Sequence, residues 1–477
     1  MKRHEVLLYN PRAVFYTMPL ALMAVGSALD AGRYRVSIVD ARVERDPLAA
    51  VADRLPDALC LGVSVLSGAP IEDALRITRA AKRRRPDLPI VWGGWHPSLF
   101  PLQTLEEPDI DVAVVGQGER SFARLVDRLA GGEPPVGIPG TASRTEDGPT
   151  LHRPRPLEDV NALPAHDYDL IPVETYFRRK GRRQLDYVSS VGCRHRCAFC
   201  ADPLVYDRRW IGLEASRVVE EVEQLWHRYQ LDDLSFQDEA FFTDAGRAVG
   251  IAEGFLQRDL PFSWRATLRP DQAARLPDEM VALCCRSGLR RVMVGVESGS
   301  QAVLDLVKKD TTVEQVVESA ERFARHDLGA TFSFIVGFPG ESDVSVRETL
   351  ALVKRLRGMS SRFETPIFYF KPYGGSRLGQ EAVRRGYAPP QTLEQWTSFD
   401  YIGSAGPWVS REKRRLVERF KFYSRFAWDR DGWCRRPLQA AARWRCERDE
   451  YRLPWERVLV ETLKRMPRLN RGPLARR

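Results

Sequence analysis

The feature that most limits how this chain can fold is a regular alternation of short apolar segments with longer amphipathic ones, which occurs in two separate stretches. Short apolar segments are typical of buried strands, and the longer segments have the apolar spacing of helices. Strands that alternate with helices predict parallel sheets wrapped by helices. A chain of 477 residues is also too long for one ordinary core, so we expect more than one domain.

The first stretch, residues 1–132, predicts an open parallel sheet of the Rossmann-like α/β class. Its predicted strands are Val6–Asn10, Val36–Val39, Ala58–Val65, Ile90–Gly93 and Val112–Val115, and its predicted helices are Leu20–Ala31, Pro70–Arg84 and Arg120–Leu129. Residues 133–182, which are rich in proline and charge, predict a linker.

The second stretch, residues 183–375, predicts six strand–helix units. Its predicted strands are Asp186–Ser190, Leu234–Gln237, Phe262–Ala266, Arg291–Val296, Thr331–Val336 and Pro366–Phe370. Six units are fewer than the eight of a complete barrel, so we expect a partial (β/α)6 barrel. Residues 376–477 predict a helical, basic and aromatic C-terminal domain.

Small and turn-forming residues follow several strands of the first stretch. Asn10-Pro11, Ser67-Gly68, Gly93-Gly94 and Gly116-Gln117-Gly118 all lie at predicted strand ends. In open α/β sheets a ligand binds beyond the carboxyl ends of the strands, where glycines let it approach the backbone. No G-x-G-x-x-G follows the first strand, so we expect a ligand other than a dinucleotide.

Three cysteines, Cys193, Cys197 and Cys200, lie in a C-x3-C-x2-C segment after the first predicted barrel strand. Thiolates are the ligands that iron–sulfur clusters require, and three of them leave one iron open to a small molecule. A zinc site is the alternative, but zinc sites usually have four ligands, and His195 lies inside the loop. The remaining cysteines, Cys60, Cys284, Cys285, Cys434 and Cys446, are interpreted as ordinary thiols without a second cluster.

The cysteine spacing, the aromatic Phe199 before the third cysteine and the six-unit pattern resemble the radical S-adenosylmethionine (SAM) superfamily. The resemblance implies a 4Fe–4S cluster on the three cysteines that binds SAM and cleaves it reductively to a 5′-deoxyadenosyl radical. It also implies SAM contacts from Phe199, Gln237, Asp238, Glu239, Arg269, Glu297, Ser298 and Val336. The segment around Asp238 departs from the glycine-glycine-glutamate form of the family, so either Asp238 or Glu239 could bind the methionine ammonium.

An open parallel sheet in front of such a barrel resembles the cobalamin-binding radical SAM enzymes, which include class B methyltransferases and anaerobic tetrapyrrole cyclases. The resemblance implies cobalamin contacts from Asn10, Ser64, Ser67, Gly93, Gly94, His96, Gly116, Gly118 and Glu119. The D-x-H-x-x-G segment that supplies a cobalt ligand in many cobalamin proteins is absent here. His96 is the nearest substitute, and a sheet that binds no cobalamin is the alternative.

The positive charge is concentrated in the tail. Residues 411–477 have 21 Lys and Arg against 9 Asp and Glu, whereas the whole chain has a net charge of only +9. Leu416, Phe420, Tyr423 and Ala427 share one helical face. This tail predicts either a peripheral membrane contact or a helical cap that packs on the barrel. The N-terminus leads directly into a strand rather than a signal peptide, which favours a cytoplasmic protein.

The resemblance implies methylation of an unactivated carbon in a natural-product, lipid or tetrapyrrole-like substrate. The alternative is cobalamin-dependent cyclisation or oxidation without methyl transfer. We expect a small-molecule substrate, which includes large apolar ones, an electron donor such as flavodoxin or ferredoxin, and no stable nucleic acid partner. No residue is predicted to be a catalytic acid or base, and a non-enzymatic cluster-based sensor is the remaining alternative.

Overall fold

The computed structural model describes residues 3–14, 16–153, 156–399, 406–428, 436–452 and 455–458. Trp433 and Cys434 of the tail lie outside the described residues. The described chain contains two large sheets and a helical C-terminal part.

The first sheet has seven strands in the order β2-β1-β3-β4-β5-β6-β7. They are β1 His4–Asn10, β2 Tyr34–Asp40, β3 Ala58–Ser64, β4 Ile90–Gly93, β5 Val112–Val114, β6 Thr141–Thr145 and β7 Gly148–Leu151. The first five are parallel, and β6 and β7 are antiparallel. Val6 to Tyr9 of β1 are all buried, as expected for a strand covered on both faces.

Seven helices accompany this sheet. They are α1 Leu20–Ser27, α2 Pro47–Ala52, α3 Pro70–Arg84, α4 Trp95–Leu99, α5 Pro101–Thr104, α6 Glu119–Ala130 and α7 Val173–Lys180. Helix α3 begins with a proline, has Glu72 and Asp73 in its first turn and Lys82 to Arg84 in its last turn. Both placements favour a helix with these bounds, because the charges oppose the helix dipole. The structure thus confirms the predicted parallel sheet. Residues 133–182, which were predicted to be a linker, contain strands β6 and β7 of this sheet and helix α7.

The second sheet forms the partial barrel. Its strands run in the order β8-β11-β12-β13-β14, and both β15 and β16 pair with β14 at the last position. The strands of this part are β8 Gln184–Tyr187, β9 Ser190–Gly192, β10 Trp210–Gly212, β11 Asp233–Phe236, β12 Ser263–Leu268, β13 Leu289–Glu297, β14 Gly329–Val336, β15 Phe363–Glu364 and β16 Ile367–Tyr369. All pairs in the barrel are parallel, and β9 with β10 forms a separate antiparallel pair. Six strand positions confirm the predicted partial barrel.

Helices cover the outside of the barrel and continue beyond it. They are α8 Asp202–Val205, α9 Ala215–Tyr229, α10 Ala245–Gln257, α11 Pro270–Arg275, α12 Asp278–Arg286, α13 Gln301–Leu306, α14 Val313–Arg325, α15 Asp343–Met359, α16 Arg377–Arg384, α17 Leu393–Trp396, α18 Arg411–Ala427 and α19 Arg436–Arg448. Short 3-10 turns occur at Leu55–Asp57, Val160–Ala162, Tyr168–Leu170 and Phe241–Thr243.

The tail forms a helical cap. Phe420, Tyr423 and Ala427 of α18 are buried in the same hydrophobic cluster as the barrel strands, and Leu416 is partly buried against it. The apolar face that suggested a membrane contact is therefore used for packing, and the structure gives that expectation no support. In the part of the chain that the structure describes, no helix has the length and apolarity needed to cross a bilayer.

Polar contacts join the two sheets. Asp186 at β8 accepts a hydrogen bond from the Met18 backbone N–H at 2.8 Å, and the Tyr168 hydroxyl donates to the Asp186 carbonyl oxygen at 2.7 Å. Met18 and Tyr168 both precede the barrel in the sequence, and Met18 follows β1. These two bonds therefore hold the carboxyl end of the first sheet beside the barrel.

Trp264 tests the packing of the barrel. Its side chain in β12 is fully buried, with the rings of Phe236 and Phe241 at 5.8 and 5.7 Å. We expect Trp264→Ala to lower the free energy of unfolding by about 3–5 kcal/mol, because the neighbours cannot fill the cavity. Urea unfolding measures the change. Trp444→Ala, at a tryptophan that is 44% exposed, is the control and should cost less than about 1 kcal/mol; equal losses in the two variants would contradict the prediction.

Candidate active site

The three cysteines lie in the connection between β9 and β10. The antiparallel pairing of Gly192 with Trp210 brings the two ends of this connection together. Gly192 has φ +89°, and a Cβ there would lie 2.3 Å from the Arg209 carbonyl oxygen. Within the loop, the Cys200 N–H donates to the Cys197 carbonyl oxygen at 3.2 Å. The start of the cysteine loop therefore requires glycine, and its end is a hydrogen-bonded turn.

Two segments outside the loop hold it in place. The Ala198 N–H donates to the Val307 carbonyl oxygen at 2.8 Å, and the Ala198 carbonyl accepts from Leu378 N–H of α16 at 2.9 Å. Arg196 pairs with Asp310 at 2.8 Å. The loop is thus fixed between the segment that follows α13 and the helix that follows the barrel.

An arginine lies beside the middle cysteine. Arg269 at the end of β12 is 9% exposed, and its Nη1 lies 3.6 Å from Cys197 Sγ. Asp271 accepts from Arg269 Nε at 2.8 Å and fixes the guanidinium. The guanidinium therefore lies where it can donate to the sulfur of Cys197. In the described chain, no group of three or more His, Cys, Asp or Glu is arranged to hold a single metal ion.

Burial opposes ionisation of the outer two thiols. It raises the pKa of Cys193 to about 11 and that of Cys200 well above its usual value. Thiols with raised pKa values release their protons on binding a metal. The three thiols and the neighbouring arginine are therefore a donor set that fits an iron–sulfur cluster.

Glu297 belongs to a buried ion pair next to this arginine. Lys309 Nζ lies 2.7 Å from Glu297 Oε1, and both side chains are less than 10% exposed. Arg269 Nη2 donates to the Lys309 carbonyl oxygen, so the pair and the cysteine loop are linked. Glu297 has φ +70°, an uncommon conformation for a residue other than glycine. Lys309 was not predicted from sequence, because a lysine between two helices has no distinguishing pattern.

The neighbouring carboxylates Asp238 and Glu239 have different surroundings. Asp238 is 1% exposed and accepts hydrogen bonds from Ser189 N–H, Ser189 Oγ and Ser190 Oγ at 2.8, 2.7 and 2.5 Å. Glu239 instead lines a cavity together with Gln237, and the Tyr206 hydroxyl donates to it at 3.3 Å. Asp238 is occupied in holding the segment that joins β8 to β9, whereas Glu239 is the carboxylate that faces the cavity.

That cavity, of about 270 Å³, lies between the first sheet and the barrel. Six of the predicted cobalamin contacts line it: Ser64, Gly93, Gly94, Gly116, Gly118 and Glu119. Side chains at the glycines would narrow it, since a Cβ on Gly118 would lie 3.2 Å from Val25 Cγ1. The Gln117 amide nitrogen is buried there without a hydrogen-bond partner. Close glycine backbone and an unpaired amide donor fit an amide- or phosphate-bearing part of a cofactor such as cobalamin, because the whole cofactor is larger than this cavity.

A second cavity, of about 1100 Å³, opens between the cysteine loop and the carboxyl ends of the first sheet. Its lining includes Arg12 after β1, Leu66 after β3 and Trp95 after β4, together with Phe199 and Cys200 of the loop. Strands β1 and β3 flank the point where the strand order reverses, which is where open α/β sheets bind ligands. The cysteine loop and the loops after β1, β3 and β4 therefore line one common cavity, although none of the predicted cobalamin contacts is among its lining residues.

His96, which the sequence suggested as a cofactor contact, is enclosed by other side chains. It is fully buried, its Nδ1 lies 3.0 Å from Ser67 Oγ, and the rings of Phe100 and Trp396 are 5.2 and 5.3 Å away. Burial lowers the pKa of His96 to about 3. Neither His96 nor Ser67 lines either of the two cavities, and both residues are buried.

The other predicted contacts differ in position. Asn10 lies at the end of β1 with its amide nitrogen buried and unpaired, yet it lines neither cavity. Val336 is fully buried, and Ser298 is buried with its hydroxyl 3.0 Å from Thr349 Oγ1. Direct SAM contacts from the Ser298 and Val336 side chains are not supported by these positions. Besides Lys309, the sequence reasoning missed Tyr206 and Asp202, which line the cavities from α8 and the turn after it.

Comparison with known proteins identifies both halves of the chain. The family model described as the B12 binding domain matches residues 9–126, and that of the radical SAM superfamily matches residues 187–353. These matches confirm the predicted pair of domains and the predicted cofactors, which are a 4Fe–4S cluster, SAM and cobalamin.

Two curated relatives match this chain over most of both lengths. An uncharacterized methyltransferase of Pyrococcus horikoshii is 29% identical over 442 residues, 89% of this chain and 94% of the relative. The cytidylyl-2-hydroxyethylphosphonate methyltransferase of Streptomyces wedmorensis is 26% identical over 485 residues, 87% of this chain and 89% of the relative. The structure of the radical SAM methyltransferase TsrM from Kitasatospora setae, with cobalamin and an iron–sulfur cluster bound, superposes with a TM-score of 0.70 at 19% identity, covering 87% of this chain and 86% of that chain. The fold of this chain is therefore similar to that of TsrM.

The position of Glu239 predicts a pH effect on the apoprotein. Burial raises the pKa of its carboxyl from 4.5 to about 8, so the folded chain keeps a proton that the unfolded chain releases. The resulting stability is present below pH 4.5 and is lost as the pH rises through about 8. When the pH is raised from about 5 to about 8, the free energy of unfolding of the wild type should therefore fall by at least about 1 kcal/mol more than that of Glu239→Gln.

Urea unfolding of both apoproteins at the two pH values measures this difference. Glu412→Gln, at an exposed glutamate of α18, is the control and should follow the wild type. Parallel pH profiles for the wild type and Glu239→Gln would contradict the prediction.

Proposed function

We propose that this chain, which belongs to the cobalamin-binding radical SAM enzymes, is a methyltransferase that acts on an unactivated carbon of a small-molecule substrate. The observation that carries the proposal is the common cavity of about 1100 Å³, into which the cysteine loop and the carboxyl ends of the cobalamin-type sheet both open. A methyl carrier on one side and a hydrogen-abstracting group on the other need such a space between them. Two relatives that match over most of the chain are also named as methyltransferases.

Within the site, Cys193, Cys197 and Cys200 would hold the cluster, with Arg269 stabilising the charge of the Cys197 thiolate. When bound, the cluster and SAM supply radical hydrogen abstraction, and cobalamin supplies a methyl carrier. The chain orients these groups and excludes water from the space between them.

Glu239 would accept the methionine ammonium of SAM, because Asp238 is already used by Ser189 and Ser190. Burial raises the pKa of the Glu239 carboxyl in the apoprotein. A cation placed beside the carboxyl would lower this pKa again, because an opposite charge favours the ionised form. Phe199 lines the common cavity beside the third cysteine and would contact the adenosyl side of SAM.

The glycine-bordered cavity would hold one part of cobalamin through Ser64, Gly93, Gly94, Gly116, Gly118 and Glu119. The loop after β1 has no histidine, and His96 is buried against Trp396, so no histidine of these two segments would reach the cobalt. A one-electron donor of the flavodoxin or ferredoxin class, present in the cytoplasm, would reduce the cluster.

The cluster assignment is tested by removing one thiol. We expect Cys197→Ala, reconstituted anaerobically with iron and sulfide, to fall from about four irons per chain to less than about one, and to lose its visible absorbance. Cys285→Ala, at a half-buried cysteine of α12, is the matched control and should keep its iron. Iron and sulfide analysis measures both, and full retention of iron by Cys197→Ala would exclude this ligand set.

The reaction type is tested with SAM whose methyl group carries deuterium. The chain loaded with cluster and cobalamin is incubated anaerobically with this SAM, a reductant and a small-molecule extract, and the products are analysed by mass spectrometry. We expect a product that contains the labelled methyl group and is absent with Cys197→Ala. A cluster-dependent product without the label would instead indicate cyclisation or oxidation and would refute methyl transfer.

A further inference from the structure

One side of the common cavity belongs to neither of the two matched domains. The lining residues from the first sheet fall within residues 9–126, and those from the cysteine loop and β14 fall within residues 187–353. Tyr373, Thr397 and Phe399 also line the cavity, but they come from the segment beyond both matches. We call these three residues the cavity wall.

The cavity wall is anchored on the first domain, although its chain follows the barrel. Trp396 Nε1 donates to Gln103 Oε1 at 2.8 Å, and the Trp396 ring lies 4.6 Å from that of Phe100. Glu394 in the same short helix pairs with Arg79 of α3. Phe399 then packs on Trp396 and Tyr373, at ring distances of 5.1 and 5.8 Å. The wall is therefore a fixed surface.

The wall offers mainly apolar and aromatic contacts. Tyr373 and Phe399 contribute rings, and the Thr397 hydroxyl already donates to the Glu394 carbonyl oxygen at 2.7 Å. The barrel contributes Phe199 and Ile335 to the same cavity. The charged lining residues lie elsewhere: Arg12, Glu72, Asp73 and Arg76 come from the first domain, and Asp202 from the cysteine loop.

Cofactors that members of a family share are bound by the parts that those members share. The cavity wall lies outside the residues that match the two cofactor domains, and its mainly apolar chemistry differs from the charged lining that the first domain contributes. We infer that the cavity wall is the substrate-recognition surface and that it selects a substrate with a broad apolar or aromatic body. This inference rests on the proposed function, because it takes the common cavity as the place of reaction.

The test is equilibrium dialysis of the chain loaded with cluster and cobalamin against N-phenyl-1-naphthylamine, a neutral aromatic probe. The wild type should bind the probe, and Thr397→Trp should weaken binding about tenfold, because the larger side chain occupies the apolar space. Thr397→Leu, which adds less volume, should weaken it by a smaller factor. Ser398→Trp places the same side chain on the exposed neighbouring residue and should change binding by less than about twofold.

Three results would overturn the inference. One is a wild type that does not bind the probe, and another is an equal effect of Thr397→Trp and Ser398→Trp. The third is a loss of hydroxocobalamin binding by Thr397→Trp as large as its loss of probe binding, since the wall would then belong to the cofactor site. Thermal unfolding of each variant identifies any folding defect, and Thr397→Leu keeps the test decisive if Thr397→Trp is unstable. Dialysis measures probe binding without turnover. The binding result therefore does not depend on whether methyl transfer is found.

Discussion

The site depends on one buried carboxylate, Asp238, at the end of β11. Burial raises its pKa, and the donors on Ser189 and Ser190, together with the charge of Arg247, oppose that effect. A buried carboxylate with several hydrogen bonds fixes its neighbours strongly, because leaving any donor unpaired costs free energy. Asp238 thereby sets the position of β9, and β9 leads through Gly192 into the cysteine loop. The same interaction leaves the next residue, Glu239, to face the cavity between the two sheets.

Charged side chains fix the rest of the cysteine loop in position. Arg269 links Cys197 to the Glu297–Lys309 pair, while Arg196 and Asp310 close the opposite side. These residues come from four separate segments of the barrel, and all of them meet at one end of its strands. The geometry of the loop therefore depends on several segments of the barrel. A site that positions a cluster near a second cofactor requires such support from the surrounding structure.

The sequence predicted elements well where apolar periodicity was strong. Helix α3 and strand β4 have the predicted bounds, Pro70–Arg84 and Ile90–Gly93, because each has a clear pattern and clear end signals. Strands β6 and β7 were missed because their residues, such as Thr141 to Thr145, are largely polar and pair only as an antiparallel extension of the sheet. The cysteine motif was readable from spacing alone. The different roles of Asp238 and Glu239, and the burial of His96 under Trp396, depend on contacts between segments that are distant in sequence, and no local pattern records them.

The helix that contains Trp396 has a consequence for the order in which the chain becomes folded. Leu393, Trp396 and Phe399 complete the hydrophobic cluster that also contains Leu7, Val63 and Ile90 of the first sheet. During synthesis from the N-terminus, this first domain emerges long before those three residues do. Its surface around Phe100 and Gln103 therefore stays uncovered until almost the entire barrel has been made. The N-terminal core can thus be completed only after the whole barrel sequence has been synthesised.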